Sequence, residues 1–288
     1  MNMAMASSRV VLSRPRDHKL SVINGTLNKM SKEQLKRQAG ELGLHDKGTK
    51  NVLLPRLKNY YKRVKDCLPT QADAGAAAVV TSLNEQPVDY FCVVDFEATC
   101  WSDVPFMTAE SEIIEFPVVL LNARTLKKEA EFHSYCRPTR NPILSEYCRS
   151  LTGITQAQVD AADTFPFILK RFESWLAVHV RRDQTISIAT HGPWDLQKFL
   201  FDQCKFCEQP FPPYAQHYVN MKRHFSNLYS VNIHDGDLSI AGMLSMLELE
   251  FEGQEHSGID DARNIATIMQ QMMRDGYVLR NNREVLLQ

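Results

Sequence analysis

Apolar residues recur at helical spacing in two short segments near the N-terminus. Ser31 followed by Gln34 matches a capping box, apolar side chains follow every three or four residues, and Gly43 ends the run. The same spacing predicts a second helix over residues 49–63, and we expect order to begin near Leu27. These two helices make a module that is very small for a single hydrophobic core.

Farther along the chain, the pattern changes to strands and longer helices. Strands are predicted over residues 90–98, 113–121, 131–136 and 185–190. Helices are predicted over residues 143–150, 164–180, 196–207, 218–225, 238–249 and 260–275. Three strands at short spacing, then helices, a strand and more helices, predict an α/β fold with a mixed sheet flanked by helices.

A segment poor in large apolar residues separates the two patterns and predicts a linker. The chain then divides into a basic mobile arm (1–26), the helical module (27–66), the linker (67–87), the α/β domain (88–280) and a tail (281–288). A domain of this length would bury roughly 70% of its unfolded surface, which is enough for independent stability.

Charge is distributed very unevenly between these parts. The whole chain has a net charge of −1, but residues 1–68 contain 15 Lys and Arg against 5 Asp and Glu, and the rest contains 18 against 29. The two parts therefore carry +10 and −11. This asymmetry indicates a basic module for a polyanion, joined to a domain whose carboxylates serve another purpose.

The cysteines and the N-terminal residues indicate the cellular compartment in which the protein works. Seven cysteines, an odd number, are scattered through the chain, and the N-terminus has no apolar run typical of a secretory signal. No apolar run approaches the roughly 18 residues of a membrane-spanning helix. We therefore expect reduced thiols, no membrane, and a place in the cytoplasm, nucleus or nucleolus. A mitochondrial presequence is a less favoured alternative, because the first acid, Asp17, follows three arginines.

Two carboxylates end the predicted strand of residues 90–98. The period-two rule places Asp95 and Glu97 on the same face of an otherwise apolar strand. Two partly buried carboxylates this close cannot both stay ionised without a cation, so the pattern indicates protonation or metal binding. The alternative is that the strand simply ends in solvent at Asp95.

Acids also occupy the starts of two predicted helices. Asp195 falls in the first turn of a helix that follows a strand, where the helix dipole favours negative charge. Asp260 can cap the C-terminal helix, Asp261 lies in its first turn, and His256 precedes them on a loop. Taken singly, each of these residues has a structural explanation.

The order of these residues along the chain is more specific than any one of them. An Asp-x-Glu at a strand end, an Asp at a strand-to-helix junction and a His-x-x-x-x-Asp before a long helix resemble the DEDDh exonucleases over residues 88–278. The module, with the strings MSKEQL and RLKNYYK, resembles a SAP domain. Together they resemble the SAP-containing 3′-to-5′ exoribonucleases, a match strengthened by the strings DFEATC, PWD, KFL and GIDDARN.

The resemblance implies a ribonuclease H-like fold and a two-metal mechanism. Two Mg²⁺ or Mn²⁺ ions would be held by Asp95, Glu97, Asp195 and Asp261. His256 would take the proton of the attacking water, and hydrolysis would release a nucleoside 5′-monophosphate. The terminal nucleotide would contact Glu97, Ala98, Thr99 and His256. Only the family's five-residue spacing from His256 selects Asp261 over Asp260.

The basic residues of the module favour phosphate binding, although a solvated helical face is the alternative for any one of them. The predicted RNA contacts are Lys32, Lys36, Arg37, Lys50, Arg56, Lys58, Tyr60 and Lys62. Arg56, Lys58 and Tyr60, near the end of the second helix, are the favoured contacts, and Arg56 and Tyr60 share a face because they are four residues apart. SAP domains are often associated with DNA, so the module alone does not choose the nucleic acid.

The family resemblance supplies that choice. It implies trimming of histone mRNA stem-loops, 5.8S ribosomal RNA or small RNA duplexes, with a stem-loop-binding protein, ribosomal components or RNA-silencing components as partners. One alternative is a DNA 3′-to-5′ exonuclease with the same metals. Another is a catalytically silent adaptor that binds RNA or DNA, which four mutually repelling acids argue against.

Overall fold

The computed structural model describes residues 20–66, 85–233 and 237–286. The chain divides into two compact units, Met1–Ser82 and Leu83–Gln288. Within the described residues, no helix combines the length and the apolar character needed to cross a membrane.

The first unit has three helices in its described part: α1 Leu20–Lys29, α2 Lys32–Glu41 and α3 Lys50–Asp66. The predicted capping box is confirmed, since Ser31 Oγ accepts the Gln34 N–H and Gln34 Oε1 accepts the Ser31 N–H. α1 begins before the predicted start of order, because Ile23 and Leu27 lie one turn apart and are both buried in the core of this unit. The predicted arm of residues 1–26 is therefore too long, and its residues 1–19 lie outside the described residues.

Arg56 is buried inside this unit, with 2% of its surface exposed. Its Nη1 donates to the carbonyl oxygens of His45 and Lys47, both at 2.6 Å, and so fixes the loop between α2 and α3. This arrangement corrects the prediction that Arg56 contacts phosphate, whereas Tyr60 is partly exposed. Helical spacing shows which residues share a face, but it does not show whether a loop closes over that face.

A mixed seven-stranded sheet lies at the centre of the described part of the second unit, with strand order β2-β3-β1-β5-β6-β7 and β4 paired to β3. The strands are β1 Tyr90–Val94, β2 Glu97–Ala98, β3 Ile113–Asn122, β4 Lys128–Tyr135, β5 Ile186–Thr190, β6 His217–Asn220 and β7 Arg283–Glu284. β1 pairs antiparallel with β3 and parallel with β5, and all its residues are buried. The predicted mixed sheet is confirmed.

The predicted strand of residues 90–98 is divided into two. β1 ends at Val94, and β2 begins at Glu97. Pro117 of β3, which has no N–H to donate, lies opposite the gap. The register is nevertheless the same on both sides of the gap, because Val94 pairs with Val118 and Glu97 with Glu115. The N–H of Phe96 bonds the side chain of Asp195.

Helices pack against this sheet. They are α4 Glu146–Thr152, α5 Gln156–Asp160, α6 Phe165–His179, α7 Phe201–Phe206, α8 Met221–Tyr229, α9 Ile240–Leu247 and α10 Gly258–Arg274, and a π-helical segment, Asp195–Leu200, leads into α7. Two predictions are wrong at one edge of the sheet. The helix predicted over residues 218–225 begins only at Met221, because the residues before it belong to β6, and the predicted tail contributes β7. A short apolar run does not distinguish a strand from a helix when its partner strands lie far away in sequence.

Replacing Arg56 with alanine should destabilise the first unit, because the carbonyls of His45 and Lys47 lose a charged donor. We expect a loss of about 2–3 kcal/mol, measured in the full chain as faster amide hydrogen exchange throughout α2 and α3. Lys58→Ala, two positions farther along α3, is the control and should change exchange little. Unchanged exchange in Arg56→Ala together with lost RNA affinity would instead make Arg56 a direct phosphate contact.

Candidate metal and catalytic site

Functional side chains from separate elements meet beside the gap between β1 and β2. The ligand atoms of Glu97, His256 and Asp261 lie within 4.8 Å of one another. Glu97 begins β2, and Asp261 lies in the first turn of α10. The fold therefore brings together residues of the predicted site that are far apart in sequence.

Asp195 is tied to the same gap through the backbone. It is buried at the start of the π-helical segment, and its Oδ1 accepts the N–H of Phe96 at 2.9 Å. That N–H is available because Phe96 lies where the strand ladder is interrupted. π-Helical turns are rare and occur frequently at functional sites.

Asp260 and Asp261 have different partners. Asp261 is buried, and its Oδ2 accepts the N–H of His256 at 2.9 Å. Asp260 instead accepts the N–H of Gln254 and pairs with Arg263 at 2.9 Å. The geometry therefore favours Asp261 over Asp260 as the acid of the site.

Burial raises the pKa of all four predicted acids. It raises the pKa values of Asp195 and Asp261 to about 7. Burial also raises the pKa of Asp95 well above its usual value, and the charges of Asp195 and Asp261 add to the rise. For Glu97, burial again raises the pKa most, and the charge of Glu115 adds to it. The protein alone therefore supplies too little positive charge and too few hydrogen-bond donors to stabilise the ionised forms of these four carboxylates.

This set of donors fits a divalent cation. Among the described residues, none of the salt bridges involves any of the four acids. Ionised carboxylates are the hard oxygen ligands that Mg²⁺ and Mn²⁺ prefer. A bound cation would offset the repulsion and favour the charged forms, which in turn would hold it.

His256 lies on the loop before α10 with a left-handed backbone, at a φ of 65°. This conformation is uncommon for a residue other than glycine. The side chain is exposed, and it places a ring nitrogen beside Glu97 and Asp261. From this position the imidazole can exchange protons with solvent or act as a further metal ligand.

The predicted wall of the nucleotide pocket is partly buried. Ala98 and Thr99 expose only 6% and 2% of their surfaces. The Thr99 hydroxyl accepts the N–H of Glu112 at 2.9 Å, so it joins the residue after β2 to the residue before β3. Contact of Ala98 and Thr99 with a nucleotide stays a prediction, whereas Glu97 and His256 face the site.

Sequence reasoning missed Glu115, a buried acid of β3 that lies directly opposite Glu97 in the strand ladder. The available signal was a charged residue inside the apolar run IIEFPVVLL, because charges are almost never buried without a partner. Trp194, next to Asp195, is 44% exposed, and its ring meets Phe106 edge-on at 5.5 Å. Exposed aromatic surface therefore lies next to Asp195.

The basic residues predicted to bind RNA differ in exposure. Arg37, Lys50 and Lys62 are exposed, and Lys32, Lys36, Lys58 and Tyr60 are partly exposed. Arg56 alone among the predicted contacts is buried. Cations with exposed surface suit phosphate contact, so the remaining six cations stay predicted contacts, together with the partly exposed Tyr60.

Two family models match the chain. One describes an exonuclease of the RNase T type and matches residues 92–269, and the other describes the SAP domain and matches residues 26–62. The exonuclease match covers more than half of the chain and includes all five residues predicted to be catalytic.

Relatives match over nearly the whole chain. The 3′-5′ exoribonuclease 1 of Homo sapiens is 40% identical over 98% of this chain and 77% of its own length. The Mus musculus protein of the same name is 41% identical over 95% of this chain and 76% of its own length. The 3′-5′ exonuclease eri1 of Schizosaccharomyces pombe is 34% identical over 87% of this chain and 90% of its own length.

Solved structures share the fold. A 3′-exonuclease in 3′-end-specific recognition of the histone mRNA stem-loop has a TM-score of 0.68 and 40% identity, covering 93% of this chain and 88% of that chain. The nuclease domain of 3′hExo, a DEDDh family member bound to rAMP, has a TM-score of 0.67 and 42% identity, covering 70% of this chain and 100% of that chain. These matches confirm the predicted ribonuclease H-like fold with a SAP domain before it. The chain therefore belongs to the DEDDh exonuclease family, in its branch of metal-dependent 3′-to-5′ exoribonucleases that carry an N-terminal SAP domain.

Proposed function

We propose that this exoribonuclease trims the 3′ ends of structured RNA, such as a histone mRNA stem-loop, 5.8S ribosomal RNA or a small RNA duplex, and releases nucleoside 5′-monophosphates. The hydrolytic part rests on the meeting of Glu97, His256 and Asp261 within 4.8 Å. The relative solved with a stem-loop supports a structured substrate, because its match covers 93% of this chain. The +10 charge of residues 1–68 supports binding to nucleic acid.

Two divalent ions, Mg²⁺ or Mn²⁺, are assigned to Asp95, Glu97, Asp195 and Asp261. When bound, the ions would activate the attacking water and stabilise the leaving 3′ oxygen. The carboxylates supply oxygen ligands, and the N–H of Phe96 keeps Asp195 in place. The raised pKa values of these acids support a cation at this point.

His256 is assigned the general base. Its exposed imidazole can take the proton of the water and pass it to solvent, a role typically worth ~10²–10⁴-fold in rate. The bond from its N–H to Asp261 ties its loop to α10. The exposed ring of Trp194 offers a nearby surface on which a base can stack.

The first unit is assigned the role of binding the RNA stem. Its exposed cations can contact phosphates without reading sequence, so they add affinity while the acids of the second unit cleave. We place the protein in the cytoplasm and nucleus, with a stem-loop-binding protein, ribosomal components or RNA-silencing components as partners. Fractionation and co-purification from cells would test these last two assignments.

Matched RNA and DNA stem-loops with 3′ overhangs test the substrate and the site together. With Mg²⁺ the protein should shorten the RNA at least about 10-fold faster than the DNA, and with a chelator it should shorten neither. Asp261→Asn should lower the rate at least about 100-fold and leave RNA binding largely intact. Asp260→Asn, at the adjacent position, is the control and should keep near-wild-type turnover because Asp260 pairs with Arg263.

Other outcomes would support the alternatives. Equal cleavage of both stem-loops would favour the DNA exonuclease, absence of cleavage with any ion would favour the silent adaptor, and normal turnover in Asp261→Asn would overturn the metal assignment. His256→Asn separates a base from a ligand, and asparagine tolerates the left-handed backbone there. Low turnover with unchanged Mn²⁺ affinity supports the base, whereas lost Mn²⁺ affinity makes His256 a ligand.

The double variant Lys50→Ala/Lys62→Ala tests the role of the first unit in RNA binding. Removing two exposed cations should weaken stem-loop binding about 10-fold and reduce the slope of affinity against salt by about two phosphate contacts. Turnover on a short single strand should hardly change, because the acids of the second unit are intact.

Arg124→Ala/Lys127→Ala is the matched control for this charge loss. Both residues are exposed in the β3–β4 turn, at the opposite end of the sheet from Asp95, because Tyr90 pairs with Asn122. This variant should bind the stem-loop like the wild type. Equal losses in both double variants would mean that net charge, and not the SAP surface, determines affinity.

A further inference from the structure

Glu115 is a buried carboxylate to which the proposed chemistry assigns no role. It lies in β3 with 2% of its surface exposed. Its Oε2 accepts the N–H of Gly258 at 3.0 Å, and its Oε1 accepts the N–H of Ile259 at 3.1 Å. These are the first two amides of α10, so one side chain of the sheet fastens the start of the helix that carries Asp261.

The same carboxylate lies directly opposite Glu97 in the β2–β3 ladder. Like charges at opposite positions of a sheet destabilise the pairing. Glu115 is buried and Glu97 is partly buried, which increases this cost, since repulsion is less screened away from water. The carboxylate of Glu115 therefore needs hydrogen-bond donors from outside the β2–β3 pair. The two backbone amides at the start of α10 are such donors.

Gly258 allows this close approach of α10 to the sheet. A Cβ atom at this position would lie 2.6 Å from the carbonyl oxygen of Asp95 and 3.1 Å from Pro117 Cγ. The start of α10 thus sits against the backbone at the end of β1. No other residue type fits there without moving the helix away from the acids of the strand.

His133 completes the contacts of Glu115 from the other side. Its Nε2 lies 2.8 Å from Glu115 Oε1, and its side chain is 35% exposed. An ionised carboxylate only accepts hydrogen bonds, so this ring nitrogen donates when Glu115 is charged. Three N–H donors therefore surround Glu115 in the described structure.

We infer that Glu115 is a positioning residue of the nuclease, which docks the first turn of α10 against β3 and so sets the separation of Asp261 and His256 from Glu97. His133 assists by holding the carboxylate in the orientation that accepts both amides. Glu115 acts through the backbone of α10 and not on the substrate. This inference rests on the proposed roles of Asp261 and His256.

Glu115→Gln tests the role in the full chain. A glutamine keeps one acceptor oxygen but turns an NH₂ donor toward the other amide, so α10 should lose its fixed position. We expect Mn²⁺ affinity, measured by calorimetry without RNA, and kcat on single-stranded RNA each to fall about 10–100-fold. KM for the RNA should change less than about threefold, because most of the RNA affinity is assigned to the cations of the first unit. Amides 258–261 should exchange hydrogen faster.

Glu112→Gln is the matched control. Glu112 is also a buried glutamate near the start of β3, and its carboxylate accepts the backbone amides of Thr139, Arg140 and Asn141. Its loss should lower the melting temperature as Glu115→Gln does, but leave Mn²⁺ affinity within about threefold of wild type. A purely structural role for Glu115 would give the two variants the same Mn²⁺ affinity and would overturn the inference.

His133→Ala gives a second test that does not depend on folding of the buried variant. Because His133 is partly exposed, its removal should be tolerated, and Mn²⁺ affinity should still fall about threefold or more. Wild-type Mn²⁺ affinity in both Glu115→Gln and His133→Ala would overturn the inference even if Asp261→Asn loses its metal. Retained metal in Asp261→Asn would instead overturn the proposed function itself.

Discussion

The cost of holding four carboxylates together, largely out of water, is the constraint on which the second unit depends. Burial raises the pKa of Asp95, Glu97, Asp195 and Asp261, so the fold has to hold these acids together against their own charge. It does so with backbone donors, because the N–H of Phe96 bonds Asp195 and the N–H of His256 bonds Asp261. The site is therefore arranged in advance to gain free energy when a cation binds.

The acids could be predicted from sequence because their order and spacing along the chain resemble those of one family. The spacing also favoured Asp261 over Asp260, and the geometry favours the same residue, since Asp260 is bonded to Gln254 and Arg263. The gap between β1 and β2 could not be predicted in the same way. Pro117 of the neighbouring strand lies opposite the gap, and the apolar pattern of residues 90–98 shows nothing of that partner.

Two charged residues show where sequence reasoning ends. Arg56 was predicted to face phosphate, and Glu115 attracted no prediction, yet each is buried and holds a piece of backbone. Arg56 binds loop carbonyls, and Glu115 binds helix amides. A charge that serves the fold looks the same in sequence as a charge that serves the ligand, because burial is decided by elements distant along the chain.

The pH dependence of thermal stability tests the central constraint most directly. A carboxylate whose pKa is raised in the folded state stabilises the fold while protonated, and this contribution is lost as the pH rises from about 4 to about 7. In chelator, the melting temperature of the wild type should therefore fall over this range more than that of Asp195→Asn/Asp261→Asn, and at pH 8 Mn²⁺ should raise the melting temperature of the wild type alone. Parallel curves for the two proteins, with no response of the wild type to Mn²⁺, would contradict the account.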